Sequence, residues 1–152
     1  MQVYLSHPLA ERFYVRDVLQ PRLEKAGLRI INPFLERPNS EAIFQKGDIL
    51  SIIKAEAKTA TGEEIVEHEL ALIQAADKLF AYLPYPSVGT VMETYHHSKV
   101  LERGKENTLV WTPQTTNVLR YHPWLNTIAT VDTNSYNLVQ KLHEGTDREK
   151  PR

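Results

Sequence analysis

Cysteine is absent from the 152 residues, which excludes disulfides, thiolate nucleophiles and Cys-ligated zinc or iron–sulfur centres. An excess of charge is absent too. Eighteen Lys and Arg stand against 19 Asp and Glu, a net charge of −1, so no global field draws the chain to nucleic acid or to an anionic membrane. No apolar run nears the ~18 residues of a membrane span, and the first residues lack a signal-peptide pattern. The expected location is therefore cytoplasmic, with neither a membrane nor a nucleic acid polymer as partner. GxGxxG, Walker and HExxH patterns are also missing, which removes the usual signatures of dehydrogenases, P-loop enzymes and zincins. Adjacent His96 and His97 point ~100° apart on a helix and are expected on the surface, so no metal site and no cofactor is expected. What is present, 41% hydrophobic and 24% charged residues, is the composition of an ordinary globular chain. The length fits one domain over residues 1–152.

Hydrophobic periodicity alternates along the chain. Residues 3–6 (Val-Tyr-Leu-Ser) form a short β-type run. Residues 9–26 then show helical spacing, with Leu9, Phe13, Leu19, Leu23 and Ala26 on one broad face and Gly27 as a stop. Pro21 inside that stretch predicts a kink or a restart. Residues 28–31 read as a second strand. The stretch at about 36–60 reads as a variable insertion, loop-like at Arg37-Pro38-Asn39-Ser40, with Ile49, Leu50, Ile52 and Ile53 suggesting a short helix. Beyond it, Thr61-Gly62-Glu63-Glu64 fits a capping box opening a helix to about Ala76. Residues 78–83 are a third strand, 84–89 a turn, 90–103 a helix, 108–111 and 127–131 further strands, and 134–143 a closing helix. Between them, Tyr121, His122, Pro123 and Trp124 form an aromatic loop suited either to a neighbouring subunit or to the local core. Strands alternating with helices imply parallel pairing through right-handed crossovers, hence an α/β three-layer sandwich.

Two carboxylates stand out. On a wheel of residues 61–76, Ile65, Val66, Leu70, Leu72, Ile73 and Ala76 make one arc, and Glu63, Glu64, Glu67, His68 and Gln74 lie opposite. Glu69 falls near the middle of the apolar arc, where an ionised group costs several kcal/mol, order of magnitude, unless it is paired or lines a cavity. Either a buried Arg such as Arg12 or Arg16 neutralises it, or it walls a polar pocket and serves in acid–base work. Glu93 follows the turn Pro84-Tyr85-Pro86-Ser87-Val88-Gly89 after the third strand, at the sheet end where ligands of open α/β proteins bind. In the first turn of its helix, the dipole and free N–H groups would keep it ionised. Those N–H groups, with the Ser87 hydroxyl and a flexible Gly89, suit an anion such as phosphate. The competing reading is that Thr90-x-x-Glu93 is simply a capping box.

The ordered spacing of Glu69, Asp77, the strand at 78–83, Pro86-Ser87-Val88-Gly89 and Glu93 resembles the nucleoside 2-deoxyribosyltransferase superfamily, nearest its 2'-deoxynucleoside 5'-phosphate N-hydrolase branch. The opening Val3-Tyr4-Leu5-Ser6 with its following helix and strand is similar to that family's first βαβ unit. The resemblance spans roughly residues 2–112. It implies a five-stranded parallel flavodoxin-like sheet and cleavage or transfer at the N-glycosidic bond of a small-molecule 2'-deoxynucleoside or its 5'-monophosphate. By that resemblance Glu93 is the nucleophile, Glu69 the second acid, and Tyr4 an aromatic near the base. Ser87 and Gly89 hold the sugar's 5' end, and Asp77 matches a helix-ending Asp at the site. The family has Asp where this chain has Glu69. The loop after its first strand is Gly-, Ser- and Arg-rich, where this chain reads Ser6-His7-Pro8-Leu9-Ala10-Glu11-Arg12, so His7 and Arg12 are the substitutes expected for anion contacts. A homodimer or larger homo-oligomer is also implied. Two alternatives remain open at this point: a TIR-like NAD-cleaving domain, whose first unit is also similar, and a non-catalytic nucleotide-binding module on the same fold.

Overall fold

The computed structural model describes residues 1–113 and 118–144. Its centre is a five-stranded sheet of β1 (Gln2–Ser6), β2 (Arg29–Ile31), β3 (Lys78–Tyr82), β4 (Thr108–Trp111) and β5 (Thr130–Asp132). The order is β2-β1-β3-β4-β5 and every pairing is parallel. This is the 2-1-3-4-5 order of flavodoxin-like doubly wound sheets. Ser6 pairs in register with Ala81, so the carboxyl ends of β1 and β3 lie side by side where the strand order changes direction.

Strand alternation builds two cores. Val3, Leu5, Phe80, Tyr82, Leu109 and Trp111 pack on one face against Val15, Leu19, Leu23, Leu138 and Leu142. Tyr4, Leu79, Ala81 and Val110 pack on the other against Ile73, Ala76, Leu125 and Ile128. The first face is covered by α1 (Arg12–Tyr14), α2 (Gln20–Lys25) and α9 (Ser135–His143). The second is covered by α6 (Gly62–Ala75), α7 (Val88–Tyr95) and α8 (Pro123–Ile128). The period of two along each strand thus sends neighbouring residues to opposite layers, giving the three-layer α/β sandwich.

Pro21 does not split the first helix. A π turn at Val15–Leu19 joins α1 to α2, with Gln20 N–H donating to Val15 O. The wider turn accommodates the proline, whose ring would otherwise press on a carbonyl four residues back and whose missing N–H leaves that carbonyl unbonded. A second π turn, His96–Val100, extends α7. Thr61 caps α6 as its sequence suggests, accepting from Glu64 N–H at 3.1 Å. Between β2 and α6 the chain forms three short helices, α3 (Pro33–Glu36), α4 (Ser40–Ile43) and α5 (Ile49–Ala57). Periodicity anticipates only the last of these, since four-residue helices are too short to show it.

Two expectations need correction. The fifth strand begins at Thr130, because Pro123 opens α8 and carries helix through Ile128; proline at the first helical position is pre-set for that role. His97 is fully buried rather than superficial, its Nδ1 2.8 Å from Thr108 Oγ1. Burial pushes its pKa down to about 4, so it is a neutral core group.

Candidate active site

Tyr4 and Ser6 reach the carboxyl end of β1 on the α6/α7 side of the sheet and are fully buried. Glu93 descends from α7, and Glu69 faces it from α6. Glu69 and Glu93 line one cavity of about 440 Å3, together with Val66, Gly89, Met92 and Tyr95. Two acids 24 residues apart in sequence therefore converge on one crevice.

Glu93 Oε2 is buried without a hydrogen-bond partner, as are Tyr4 Oη and Ser6 Oγ. Burial raises the Glu93 carboxyl most, and the charge of Glu69 raises it further; Tyr4, Arg37 and Ser6 pull it the other way. The sum lies well above the ordinary carboxylate range. Burial, with Glu93 and Glu69 facing it, likewise pushes the Tyr4 hydroxyl far up, so Tyr4 stays a neutral donor.

The sequence places Glu93 in the first helical turn, with the dipole keeping it charged. The structure corrects this. The helix starts at Val88 with Ser87 as its N-cap, so Glu93 lies in the second turn, beyond the reach of most of the dipole. Burial dominates instead. Thr90 is consequently inside the helix and buried, so Thr90 and Glu93 form no capping box.

Glu69 is neutralised, but by neither Arg12 nor Arg16. Arg37, at the end of α3, bonds Glu69 through Nη2 and Glu56 of α5 through Nη1. All three side chains are largely removed from water, and the Arg37 guanidinium also lies over the Phe34 ring, 4.7 Å from its centroid. Arg12 is buried, but donates to Leu9 O and Gln45 O at 3.2 Å each. Arg16 pairs with its neighbour Asp17 on the surface. Nothing in the local sequence marks Arg37. The one available signal was indirect: a carboxylate in an apolar arc requires a cation, and the 36–60 stretch contains Arg37, Lys46, Lys54 and Lys58. The arc itself is also displaced. Ile73 and Ala76 are buried, whereas Val66 is 53% exposed and edges the cavity.

Other expected residues scatter. Asp77 sits at the opposite, amino-terminal edge of the sheet, where its carboxylate accepts from Gln2 N–H at 2.7 Å and its own N–H donates to Gln2 O. It ties β1 to β3 and is outside the crevice. His7 is buried just after β1, Nδ1 3.0 Å from Pro8 O and Nε2 3.4 Å from Asn32 Oδ1, with its ring edge-on to Phe34. Burial lowers its pKa to about 4, so it brings no positive charge. His7 and Arg12 are both engaged by protein groups. Ser87 keeps its side chain free of any cap bond at the start of α7. Gly89 is exposed, and its backbone is not in the left-handed region, so its flexibility is not used. Among the described residues, no group of three or more His, Asp or Glu is placed to hold a metal ion, and no helix is long and apolar enough to cross a membrane.

No family model and no curated protein matches the sequence. A solved 2-deoxyribosyltransferase from the psychrotolerant bacterium Bacillus psychrosaccharolyticus is similar to this chain at 15% identity, over 91% of this chain and 90% of that one, with a TM-score of 0.49.

Proposed function

We propose that the protein cleaves or transfers the N-glycosidic bond of a 2'-deoxynucleoside or its 5'-monophosphate, with Glu93 as nucleophile and Glu69 beside the leaving base. One observation carries this reading: Glu93 and Glu69 line a single cavity at the switch point of the sheet, and the buried Glu93 keeps an unpartnered oxygen. The motif spacing supports it independently.

The protons balance within the site. Glu93 holds a proton at rest. It gives this up to the base nitrogen, with Glu69 as the intermediate acceptor, while the C1'–N bond breaks and its electron pair leaves with the base. The freed Glu93 oxygen bonds C1'. Water, or a second base, then attacks C1' and releases Glu93 as carboxylate, and the attacking group's proton passes to Glu69. A carboxylate pair suits this path because the transition state is oxocarbenium-like. Tyr4 and Ser6 bring hydroxyls close enough to Glu93 to favour its carboxylate. The Ser87 hydroxyl and the first N–H groups of α7 receive the sugar's 5' end. With His7 and Arg12 engaged elsewhere, a 5'-hydroxyl finds better provision there than a 5'-phosphate.

Incubation with the common deoxynucleosides and their 5'-monophosphates, followed by chromatography, is expected to yield free base. A folded sample that releases no base from any of them overturns the reading.

The expected homo-oligomer also belongs here. Val88, Met92 and Tyr95 leave an apolar face of α7 exposed, and it continues to Tyr121 and Trp124, 70% and 71% exposed. A cavity of about 410 Å3 lies between them. Patches of this kind mark association surfaces, and we assign this one to a second copy of the chain closing over the Glu93 cavity. Sedimentation should show a dimer or larger species that Trp124→Glu converts to monomer; a monomeric wild type contradicts the assignment.

A further inference from the structure

Arg16 and Arg37 hold their acids in different ways. On the surface, Arg16 takes Asp17 with a fork, Nε donating to Oδ1 at 2.7 Å and Nη2 to Oδ2 at 3.1 Å. That is the usual arrangement of an arginine left to one carboxylate. Arg37 instead gives a single bond to each of two acids, Nη1 to Glu56 Oε1 and Nη2 to Glu69 Oε1. Its Nε, the nitrogen that a side-on fork would add, is buried without a partner. A buried donor left idle costs its desolvation, so holding two acids in this way forgoes a bond that a fork would make.

Glu56 imposes the division, and its own position is fixed. It is buried in the last turn of α5. Thr59 Oγ1 donates to Glu56 O at 2.9 Å and accepts from Asn39 Nδ2 at 2.6 Å, which ties the end of α5 to the chain just beyond Arg37. The Phe34 ring under the guanidinium holds the other side. The consequence falls on Glu69, which lines the Glu93 cavity. Its Oε1 is spent on Arg37, whereas Oε2 takes no bond from that residue. A carboxylate forked through both oxygens is a poor proton acceptor, and one held by a single oxygen keeps lone pairs for a proton.

We propose that Glu56 is a positioning residue: by occupying Nη1 of Arg37 it keeps the guanidinium from closing on both oxygens of Glu69, which leaves Glu69 able to take up the proton that Glu93 releases. The proton transfer rests on the glycosidic reading above; the division of Arg37 does not. The charged and titratable groups facing Glu93 are Tyr4 of β1, Glu69 of α6 and Arg37 beyond α3, with His96 after α7 lining the same cavity. Of these four, Arg37 is the one bonded to Glu56, so a change at Glu56 reaches Glu93 through the Arg37–Glu69 pair.

Glu56→Met removes the competing acceptor at similar length. Arg37 should then close on Glu69, and Glu93, facing a better neutralised neighbour, should lose its proton more easily. Carboxyl carbon-13 NMR of the full chain, with the Glu93 signal assigned by its loss in Glu93→Gln, should place the Glu93 titration about one pH unit below that of the wild type. Base release should fall at least about tenfold in kcat with KM unchanged. Glu56→Gln keeps an acceptor for Nη1 and should restore much of kcat, with a smaller displacement of the titration. A brace without this role predicts a lower urea midpoint alone. A Glu93 titration that stays in place in Glu56→Met therefore overturns the proposal. Should Glu56→Met fail to fold, an unmoved titration in Glu56→Gln overturns it equally. Turnover separates the two readings. A displaced titration with no base released from any deoxynucleoside, by variant or wild type, keeps the division of Arg37 and removes the chemistry. Base release at the wild-type kcat in Glu56→Met, with the titration in place, keeps the chemistry and removes the positioning role.

Discussion

Replacing Glu93 by Gln should abolish base release, by about a thousandfold or more, as removal of a covalent nucleophile does, and should also make the protein harder to unfold. The second effect follows from where the carboxyl sits. Burial and Glu69 push it up to about 8, against the ordinary value near 4.5 that it regains on unfolding. Between those values the folded chain binds a proton that the unfolded chain does not, so stability falls as pH rises across the window. Below about 4.5 both states hold the proton and Glu93 costs nothing by this route. Above about 8 the full penalty of an ionised buried group is present, on the order of 5 kcal/mol. Glu93→Gln removes that penalty. Urea unfolding at pH 5 and pH 9 should show variant and wild type close at the lower pH and the variant clearly more stable at the higher. An equal offset at both values would mean that Glu93 is not the titrating group. Wild-type turnover should fall as pH rises through about 8, because the proton that Glu93 holds at rest is the one delivered to the leaving base.

The largest loss of stability is expected from Arg37→Met. The substitution keeps most of the side chain's length and its stacking on Phe34, but leaves Glu56 and Glu69 buried without their cation. Removing one partner of a buried pair typically costs 3–5 kcal/mol, order of magnitude, and here two acids lose the same partner. Burial already raises the Glu56 carboxyl despite Arg37, so its own neutralisation softens the loss. Adding Glu56→Gln to Arg37→Met should therefore recover part of the stability, measured as the urea midpoint. A single variant as stable as the wild type would show that the three groups do not act as a buried cluster.

The sheet was largely legible from sequence, and for a definite reason. Val3-Tyr4-Leu5 and residues 79–83 are continuous apolar runs, as strands covered on both faces must be, and the helices between them set parallel crossovers. The capping residue Thr61 was legible because a cap is a local hydrogen bond. The convergence of Glu69 and Glu93 was suggested by one misplaced acid and one turn, both local signs. Arg37, Glu56 and their link to Glu69 were not legible. They meet through α3, α5 and α6, and contacts between irregular short helices leave no period in the sequence. The ionisation of Glu93 was misread on the same account. Proximity to a helix start can be read along the chain, whereas desolvation depends on what packs around the side chain, and Tyr4, Ser6 and Glu69 come from other elements.

Arg37 divides one guanidinium between two acids, and arithmetic then leaves a unit of negative charge unbalanced beside Tyr4 and Glu93. In a region shielded from bulk solvent such an imbalance acts over several ångströms with little attenuation. Any molecule that becomes more positive on its way through a reaction is stabilised there before a single atom of the protein moves, and any molecule that becomes more negative is turned away. The electrostatic preference of the crevice is thus set by stoichiometry within the fold, one cation for two anions.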